Sequence, residues 1–189
     1  MNTQLIVVKK AKTDLVFDTP GKYVVFFSNI SGTISCTIKA EKVELFMLGL
    51  YEVDGTKKYS VKTKQIHSAP NSFSDLYIVS VVQGSSSFSF SGLIRIEKGA
   101  RQSHAYQKNQ NLLLSEKSSV DSCPILEILA NDVFCTHAST SGPISEEQLQ
   151  LLQMRGIERD EAKNLVVEGF THQIYDRLSS LGVKNYDTH

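Results

Sequence analysis

The chain has 189 residues, 41% of them apolar, and its 20 basic residues balance its 20 acidic ones. That length suits one main domain with a small appendage, and the zero net charge gives no reason to expect binding to nucleic acid or to an anionic membrane. The short apolar run at the start precedes lysines, in the reverse order of a secretory signal, and no apolar run is long enough to cross a bilayer. We therefore expect a soluble, cytoplasmic protein that does not act at a membrane.

Residues 1–137 are rich in short segments whose apolar residues alternate with polar ones, as in β-strands. These segments are KYVVFFS, TISCTIK, KVELFML, DLYIVSVV and SFSFSGLIRIE. In the last of them, Phe88, Phe90, Ile94 and Ile96 fall on one face. The region contains no amphipathic helical pattern, which argues against a βαβ fold and favours a sandwich, a barrel or a strand solenoid. No strict sequence repeat decides among the three.

After Pro143 the apolar period changes to that of a helix. Ser145 and Gln148 have the spacing of a capping box, which predicts a helix over residues 146–155. Gly156 is suited to end that helix, because glycine readily adopts the left-handed conformation found at helix C-termini.

A second helix is predicted over residues 159–181, before Gly182, from apolar residues spaced three and four apart. The stripe consists of Ala162, Leu165, Val166, Gly169, Phe170, Ile174, Leu178 and Leu181. Two helices of this size cannot bury their apolar residues on each other alone, so they must pack on the β region or on a partner. The chain thus divides into a strand region, residues 1–142, and a helical segment, residues 143–189.

Three cysteines, Cys36, Cys123 and Cys135, are an odd number at wide spacing, which favours free thiols over a disulfide framework. Cys135 and His137 lie two residues apart on a predicted strand, so they share a face with Cα atoms roughly 6.6 Å apart, and one metal ion could contact both. Two ligands are too few for a closed site, and Cys123 could be a third only if the intervening turn brings it alongside. The alternative is a small buried hydrophobe at Cys135 and a surface histidine at His137.

Other chemistries find less support in the sequence. No GxxxxGK[ST] phosphate loop occurs, so we do not expect this chain to hydrolyse ATP by itself. A Cys–His nucleophilic pair would need a third, orienting group, and none can be assigned. Glu127 and Asp132 are not a convincing pair of catalytic carboxylates. We expect a protein that is not an enzyme.

Several motifs occur in an order that resembles a known family. They are H-x-x-P-x-S within residues 49–96, and then NLLLS, P-x-LEI, D-V-x-C-x-H and EEQL-x-x-L-x-x-RGI within residues 105–170. The series resembles the SufB/SufD family of iron–sulfur cluster assembly proteins, and its SufD branch in particular. The resemblance implies a right-handed parallel β-helix followed by two C-terminal helices. It also identifies a shortened form, because typical SufD proteins carry a helical N-terminal domain and the β pattern begins here almost at once.

The resemblance also implies partners. SufD-like proteins pair with a SufB-like chain through their β-helices and dock a SufC-type ABC ATPase through their C-terminal helices. Residues expected to contribute to that docking, or to the fold that presents it, are Leu149, Leu152, Arg155, Gly156 and Phe170.

The family resemblance assigns His137 to the building of a nascent cluster at the interface with the SufB-like chain, and Cys135 is a less secure candidate. Asn109 stands where a SufB protein has its cysteine. The expected cofactor is therefore iron or a nascent iron–sulfur cluster at a subunit interface, with none held tightly by this chain alone. The leading hypothesis is a noncatalytic SufD-like subunit. The alternative is a self-associating β-helix scaffold, a homodimer without cluster chemistry.

Overall fold

The structure, a computed structural model, describes residues 3–10 and 12–183. These residues form eleven strands followed by two helices. The strands are β1 (Thr3–Val8), β2 (Thr13–Phe17), β3 (Gly21–Ser28), β4 (Gly32–Ile38), β5 (Val43–Val53), β6 (Lys58–His67), β7 (Phe73–Val82), β8 (Ser87–Ile96), β9 (His104–Leu113), β10 (Ser119–Ile128) and β11 (Phe134–Pro143). The helices are α1 (Glu146–Gln153) and α2 (Arg159–Ser180).

The strands form two parallel sheets, and the chain alternates between them. The odd-numbered strands make a six-stranded sheet in the order β1-β3-β5-β7-β9-β11, and the even-numbered strands make a five-stranded sheet in the order β10-β8-β6-β4-β2. From β3 onward, each strand pairs in parallel with the strand two places before it in the chain. This is a parallel β-helix in which every coil contributes one strand to each sheet. The β-helix implied by the family resemblance and the two C-terminal helices predicted from the apolar period are confirmed.

The core lies between the two sheets and is built from the inward-facing residues of each strand. Strand β8 shows the pattern most clearly, because Phe88, Phe90, Ile94 and Ile96 are buried while the intervening residues are only partly covered. Strand β7 is instead buried on both faces over most of its length. Its outer face is apolar because a helix covers it, which explains why some strands are continuous apolar runs and others alternate.

Helix α2 is the element that covers the outer face of the six-stranded sheet. Ile174 and Leu178 are fully buried there against outward-facing residues of β3, β5 and β7, such as Leu48 and Val79. The predicted apolar stripe is only partly buried, since Leu165 keeps 43% of its surface exposed. The helical period identified which residues share a face, but only the second half of α2 lies on the sheet. Neither helix of the described chain combines the length and hydropathy needed to span a membrane.

Glycines lie just after both helices, as predicted, but the predicted capping box does not form. Gly156 and Gly182 both have a φ of 86°, the left-handed conformation that ends a helix. Helix α1 ends at Gln153, two residues before the predicted limit at Arg155. The capping box at Ser145 is wrong, because the Ser145 side chain makes no cap hydrogen bond and only its backbone carbonyl accepts one, from the Leu149 N–H.

The described strands have two unpaired ends, at β1 and β2 and at β10 and β11, and we call the second of these, the last coil, the open end of the β-helix. Each of these strands is paired on one side only, β10 with β8 and β11 with β9, and no other described strand covers the opposite side. Inward-facing residues that would be core in an inner coil are therefore partly exposed, among them Leu126 at 37% and Ile128 at 43%. This open end carries the pair of residues that the sequence singled out.

Candidate functional site

Cys135 and His137 lie on the edge strand β11, on the face that points into the β-helix. The register pairs Cys135 with Ala105 and His137 with Gln107, and both partners are buried residues on the inner face of β9. The shared face predicted from the two-residue spacing is therefore present. The structure brings the two residues to the open end and not into a closed interior.

The two residues have different surroundings. Cys135 is half-buried and packs against a small cluster that includes Ile94, Ile96 and Ala130, and burial raises the pKa of its thiol. A thiol with a raised pKa is less available as the thiolate that binds metals or attacks substrates. Cys135 thus behaves largely as a small hydrophobic residue, while its sulfur stays on the same face as His137.

The His137 side chain is exposed, and its imidazole has no hydrogen bond or ion pair with any described residue. Both ring nitrogens of His137, Nδ1 and Nε2, are therefore free to bind a metal ion or a hydrogen-bonding ligand. Within residues 3–10 and 12–183, no three His, Cys, Asp or Glu side chains come close enough to hold a metal ion. A metal held at His137 would need most of its ligands from outside this part of the chain.

Cys123 does not join this pair, so its possible role as a third ligand is wrong. On β10 the inward-facing neighbours are Val120, which packs on the core, and Ser122, whose hydroxyl lies 3.0 Å from that of Ser139 on β11. Cys123 alternates with these residues and is exposed on the outer face of the five-stranded sheet. The two-residue period of the strand turns its sulfur away from the interior.

The inner wall behind His137 is polar. Asn109 and Asn111 are buried and donate to each other through their side-chain amides, at 3.1 Å and 2.8 Å. Asn111 also donates to the Ser141 hydroxyl on β11 at 2.9 Å. Asn111 thus ties β9 to the edge strand, and Asn109 holds the Asn111 amide in place, which gives Asn109 a structural role. Gln107, beside His137, is also buried, and sequence analysis did not single it out.

His67, in the H-x-x-P-x-S motif, is a buried structural histidine. Its Nδ1 lies 2.7 Å from the Ser72 hydroxyl and its Nε2 lies 2.7 Å from the Ser74 hydroxyl. Burial lowers the pKa of His67 to about 4, so the ring is neutral near pH 7. The His67 ring is fully enclosed and has no contact with solvent. The motif therefore stabilises the turn between β6 and β7 through these hydrogen bonds.

The predicted partner-binding residues of the helices divide into two groups. Leu149 is buried and Phe170 is half-buried against the core under α2, so both hold the helices in place. Leu152 is half-buried, and Arg155 and Gly156 are exposed at the end of α1. Only the latter group is on a surface that a partner could contact directly.

The most exposed apolar side chains of the helical segment are Leu151 and Met154, which no sequence pattern singled out, and Leu165, which belongs to the predicted apolar stripe. Met154 is 86% exposed, Leu151 is 53% exposed and Leu165 is 43% exposed. We call these three residues the exposed helical leucines and methionine. The available signal was the spacing of Leu151 on α1 and Met154 at its C-cap, three residues apart and offset from the buried Leu149.

Polar contacts join α2 to the strands that lead to the open end. Arg177 forms an ion pair with Asp75 on β7, and the pKa of Asp75 is raised because burial outweighs the effect of the guanidinium. The Tyr77 hydroxyl lies 2.8 Å from Gln173 Oε1 on α2 and 2.6 Å from Gln110 Oε1 on β9. Helix α2 is thus connected through β7 to β9, the strand that pairs with β11.

A comparison with known protein families agrees with this architecture. The model of a family described as "SUF system FeS cluster assembly, SufBD core domain" matches residues 25–170. The SufD protein of Bacillus subtilis is 36% identical over 130 residues, which cover 69% of this chain and 30% of that protein. The SufD protein of Escherichia coli is 36% identical over 95 residues, covering 50% of this chain and 22% of that protein.

The SufB protein of Bacillus subtilis is less similar, at 27% identity over 136 residues that cover 72% of this chain and 29% of that protein. This chain therefore spans less than a third of the length of these relatives. The family model covers most of the strands, helix α1 and the first half of α2, as far as residue 170. The chain belongs to the SufBD core family of the SUF iron–sulfur cluster assembly system, and it is a SufD-like member of that family.

Proposed function

We propose that this chain is a SufD-like subunit, without ATPase or other enzymatic activity of its own, of a cytoplasmic Suf-type iron–sulfur cluster assembly complex. In this proposal the open end of the β-helix meets a SufB-like chain, and the C-terminal helices dock a SufC-type ABC ATPase. The observation that carries the proposal is the position of His137, which is exposed, unpaired and inward-facing on the edge strand β11.

The ligand set supports a shared site. Imidazole is a suitable ligand for iron, and a single imidazole cannot hold the ion alone. A site divided between two chains requires only part of its ligands from each, so a lone free histidine at a chain boundary fits that arrangement. Iron and sulfide are the substrates of this assembly, received at His137 and passed on. Because the pKa of its thiol is raised, Cys135 would support the site by packing and would not be a good thiolate ligand.

The exposed edge of β11 supports pairing with another chain. An unpaired strand edge presents backbone N–H and C=O groups that a partner strand can bind. Apolar side chains of the last coil are exposed near this edge, including Phe134 on β11 at 52%, and Leu126 at 37% and Ile128 at 43% on β10. A partner chain across the open end would bury them.

The surface of the two helices supports docking of an ATPase. The exposed helical leucines and methionine offer apolar contacts, and α2 is fixed to the six-stranded sheet by Ile174 and Leu178. An ATPase that closes on nucleotide and moves these helices would also pull on β7 through the Arg177–Asp75 pair. The motion would reach β9 and the open end, where it would loosen or reshape the interface around His137.

Docking is tested with Met154→Glu, measured as affinity for the SufC-type ATPase of the same organism. We expect a loss of at least about tenfold, because an unpaired carboxylate would have to be buried where an apolar side chain makes the contact. Gln153→Glu is the matched control, since Gln153 is an exposed neighbour in the same helix, and it should bind like the wild type. A wild-type chain that forms no complex with that ATPase would contradict the proposal.

The chemistry is tested with His137→Ala, measured as iron and sulfide per complex after anaerobic purification. We expect the cluster content to fall while folding and ATPase binding stay unchanged, since the His137 side chain has no described hydrogen bond or ion pair to lose. Cys135→Ser is the companion variant and should retain most of the cluster. An unchanged cluster content in His137→Ala would refute the assigned role.

A second candidate function rests on the same open edge. The free edge of β11 and the apolar residues around it suit a second copy of this chain, which would give a homodimeric β-helix scaffold without cluster chemistry. Light scattering of the purified chain, followed by iron and sulfide analysis with and without a SufB-like chain, separates the two functions. A stable homodimer that never acquires iron would favour the scaffold.

A further inference from the structure

One coil behind His137, the interior of the β-helix contains buried polar atoms without partners. These are Thr63 Oγ1, Gln65 Oε1, and both Oε1 and Nε2 of Gln107. The three side chains are almost fully enclosed, at 1%, 0% and 3% exposure. Buried polar atoms are nearly always hydrogen-bonded in native proteins, so a group of four without a protein partner requires an explanation.

Contacts across the interior place these side chains together. The Gln107 amide lies over Gly92 of the opposite sheet, because a Cβ added to Gly92 would lie only 2.3 Å from Gln107 Oε1. Gly92 pairs in register with Thr63 on the next strand. Gln65 reaches across the interior and donates from Nε2 to the Tyr106 carbonyl at 3.2 Å, next to Gln107 in sequence. Thr63, Gln65 and Gln107 thus line one small region; we call them the inner polar cluster.

The chemistry of the cluster limits what could satisfy it. A hydroxyl, an amide oxygen and a complete amide group supply both donors and acceptors, and none of them carries a charge. The registered neighbours of Gln107 are Leu76 and His137, so no carboxylate or ammonium lies beside it on the sheet. A small molecule that can both donate and accept hydrogen bonds, and that carries no full charge, suits these atoms. Buried waters typically make about three such bonds.

We propose that the inner polar cluster is a binding site for a small uncharged molecule, either water or hydrogen sulfide, one coil behind His137. Gln107 is the central residue, since it contributes two of the four unpaired atoms and is the registered neighbour of His137. The site is distinct from the exposed imidazole because its groups are neutral and enclosed. Hydrogen sulfide as its ligand rests on the proposed function, whereas water does not.

The first test is the thermal unfolding midpoint of the full chain carrying Gln107→Met, which removes the amide and keeps the length of the side chain. If the site is occupied, the variant leaves Thr63 and Gln65 without their bridging ligand, and the midpoint should fall by about 4 °C or more. If the atoms are unpaired, their removal should raise the midpoint or leave it unchanged, which would overturn the proposal. Gln83→Met is the matched control at an exposed glutamine and should unfold like the wild type.

The second test does not depend on the stability of a variant. In the wild-type chain, the side-chain amide protons of Gln107, identified by their loss in Gln107→Met, should show magnetisation transfer from a bound water in NMR spectra. Addition of sodium sulfide in oxygen-free, mildly acidic buffer, where most of it is uncharged hydrogen sulfide, identifies the ligand. Sulfide as the ligand should shift this amide signal and raise the wild-type unfolding midpoint, with no rise in the variant.

A signal from bound water that does not change with sulfide assigns the site to water and overturns the hydrogen sulfide assignment alone. An amide that contacts neither molecule overturns the site. All of these measurements use the chain without partners. They can therefore fail while His137 still functions in a complex, and they can succeed when docking and cluster assembly fail.

Discussion

The buried imidazole of His67 makes the stability of this protein depend on acidity in a defined direction. The ring is enclosed between the hydroxyls of Ser72 and Ser74, at 2.7 Å from each. Two neutral hydroxyls can satisfy a neutral ring, which donates from one nitrogen and accepts at the other. A charged ring would need two acceptors and would be poorly solvated there, which is why burial lowers the pKa of His67 to about 4.

The magnitude follows from the difference between this value and the ordinary pKa of 6.5 for histidine. Well above pH 6.5 the ring is neutral in both states, and His67 has no effect on the pH dependence. Between pH 6.5 and 4 the unfolded chain binds a proton that the folded chain does not, so folding stability falls as the pH falls. The slope approaches about 1.4 kcal/mol per pH unit, and the total loss is about 3 kcal/mol.

Urea unfolding of the wild type and of His67→Gln at several values between pH 7 and pH 4 measures this effect. The glutamine amide retains a donor and an acceptor but cannot titrate, so the variant should start less stable at pH 7 and lose less stability on acidification. The difference between the two curves isolates His67 from the carboxylates, which titrate in both proteins. His172→Gln, at an exposed histidine, should follow the wild-type curve. Parallel curves for His67→Gln and the wild type would refute the reasoning.

Two further predictions concern packing, and each has its control within the chain. Gly49→Ala should destabilise the protein by about 1–3 kcal/mol in urea unfolding, because the new Cβ would lie 2.6 Å from the Phe27 ring. Gly169→Ala, on α2 with nothing within 4 Å of the new Cβ, should instead stabilise by about 0.5–1 kcal/mol. Leu178→Ala, at the fully buried contact of α2 with the sheet, should cost about 2–5 kcal/mol, whereas Leu165→Ala should cost less than about 1 kcal/mol. Equal costs within either pair would contradict the assigned packing.

Local patterns predicted the elements of the fold well. The alternation in β8 identified its buried face. The end of α1 was predictable because the left-handed φ that stops a helix is a property of one residue, Gly156. Choosing a β-helix from among the all-β folds was not possible from periodicity alone. Gly21 pairs with Val43, 22 residues on, whereas Lys58 pairs with Ser87, 29 residues on, so the coils differ in length and leave no constant repeat. The family resemblance supplied what the pattern could not.

The candidate site was predictable to the extent that it depends on one strand. Cys135 and His137 share a face because any strand alternates, and the register confirms it. The same alternation along β10 places Cys123 on the outer face. The sequence did not show where β10 begins, so it did not show which of its residues face inward. Gln107 was not predictable, because its burial and its unpaired amide depend on Gly92 in the opposite sheet.

The placement of the site on the last coil has an energetic consequence. Strands of a β-helix are stabilised mainly by the coils on either side of them, and β11 has only β9 as a neighbouring strand within the described chain. Residues in such a coil should open more readily than those of the inner coils, whose strands are paired on both sides. A partner chain at this edge would supply the second neighbour and would bind the closed form of β11 in preference to the opened one. Pairing at the open end and ordering of the strand that carries His137 would then be a single thermodynamic event, so a variant that weakens one should weaken the other by the same factor.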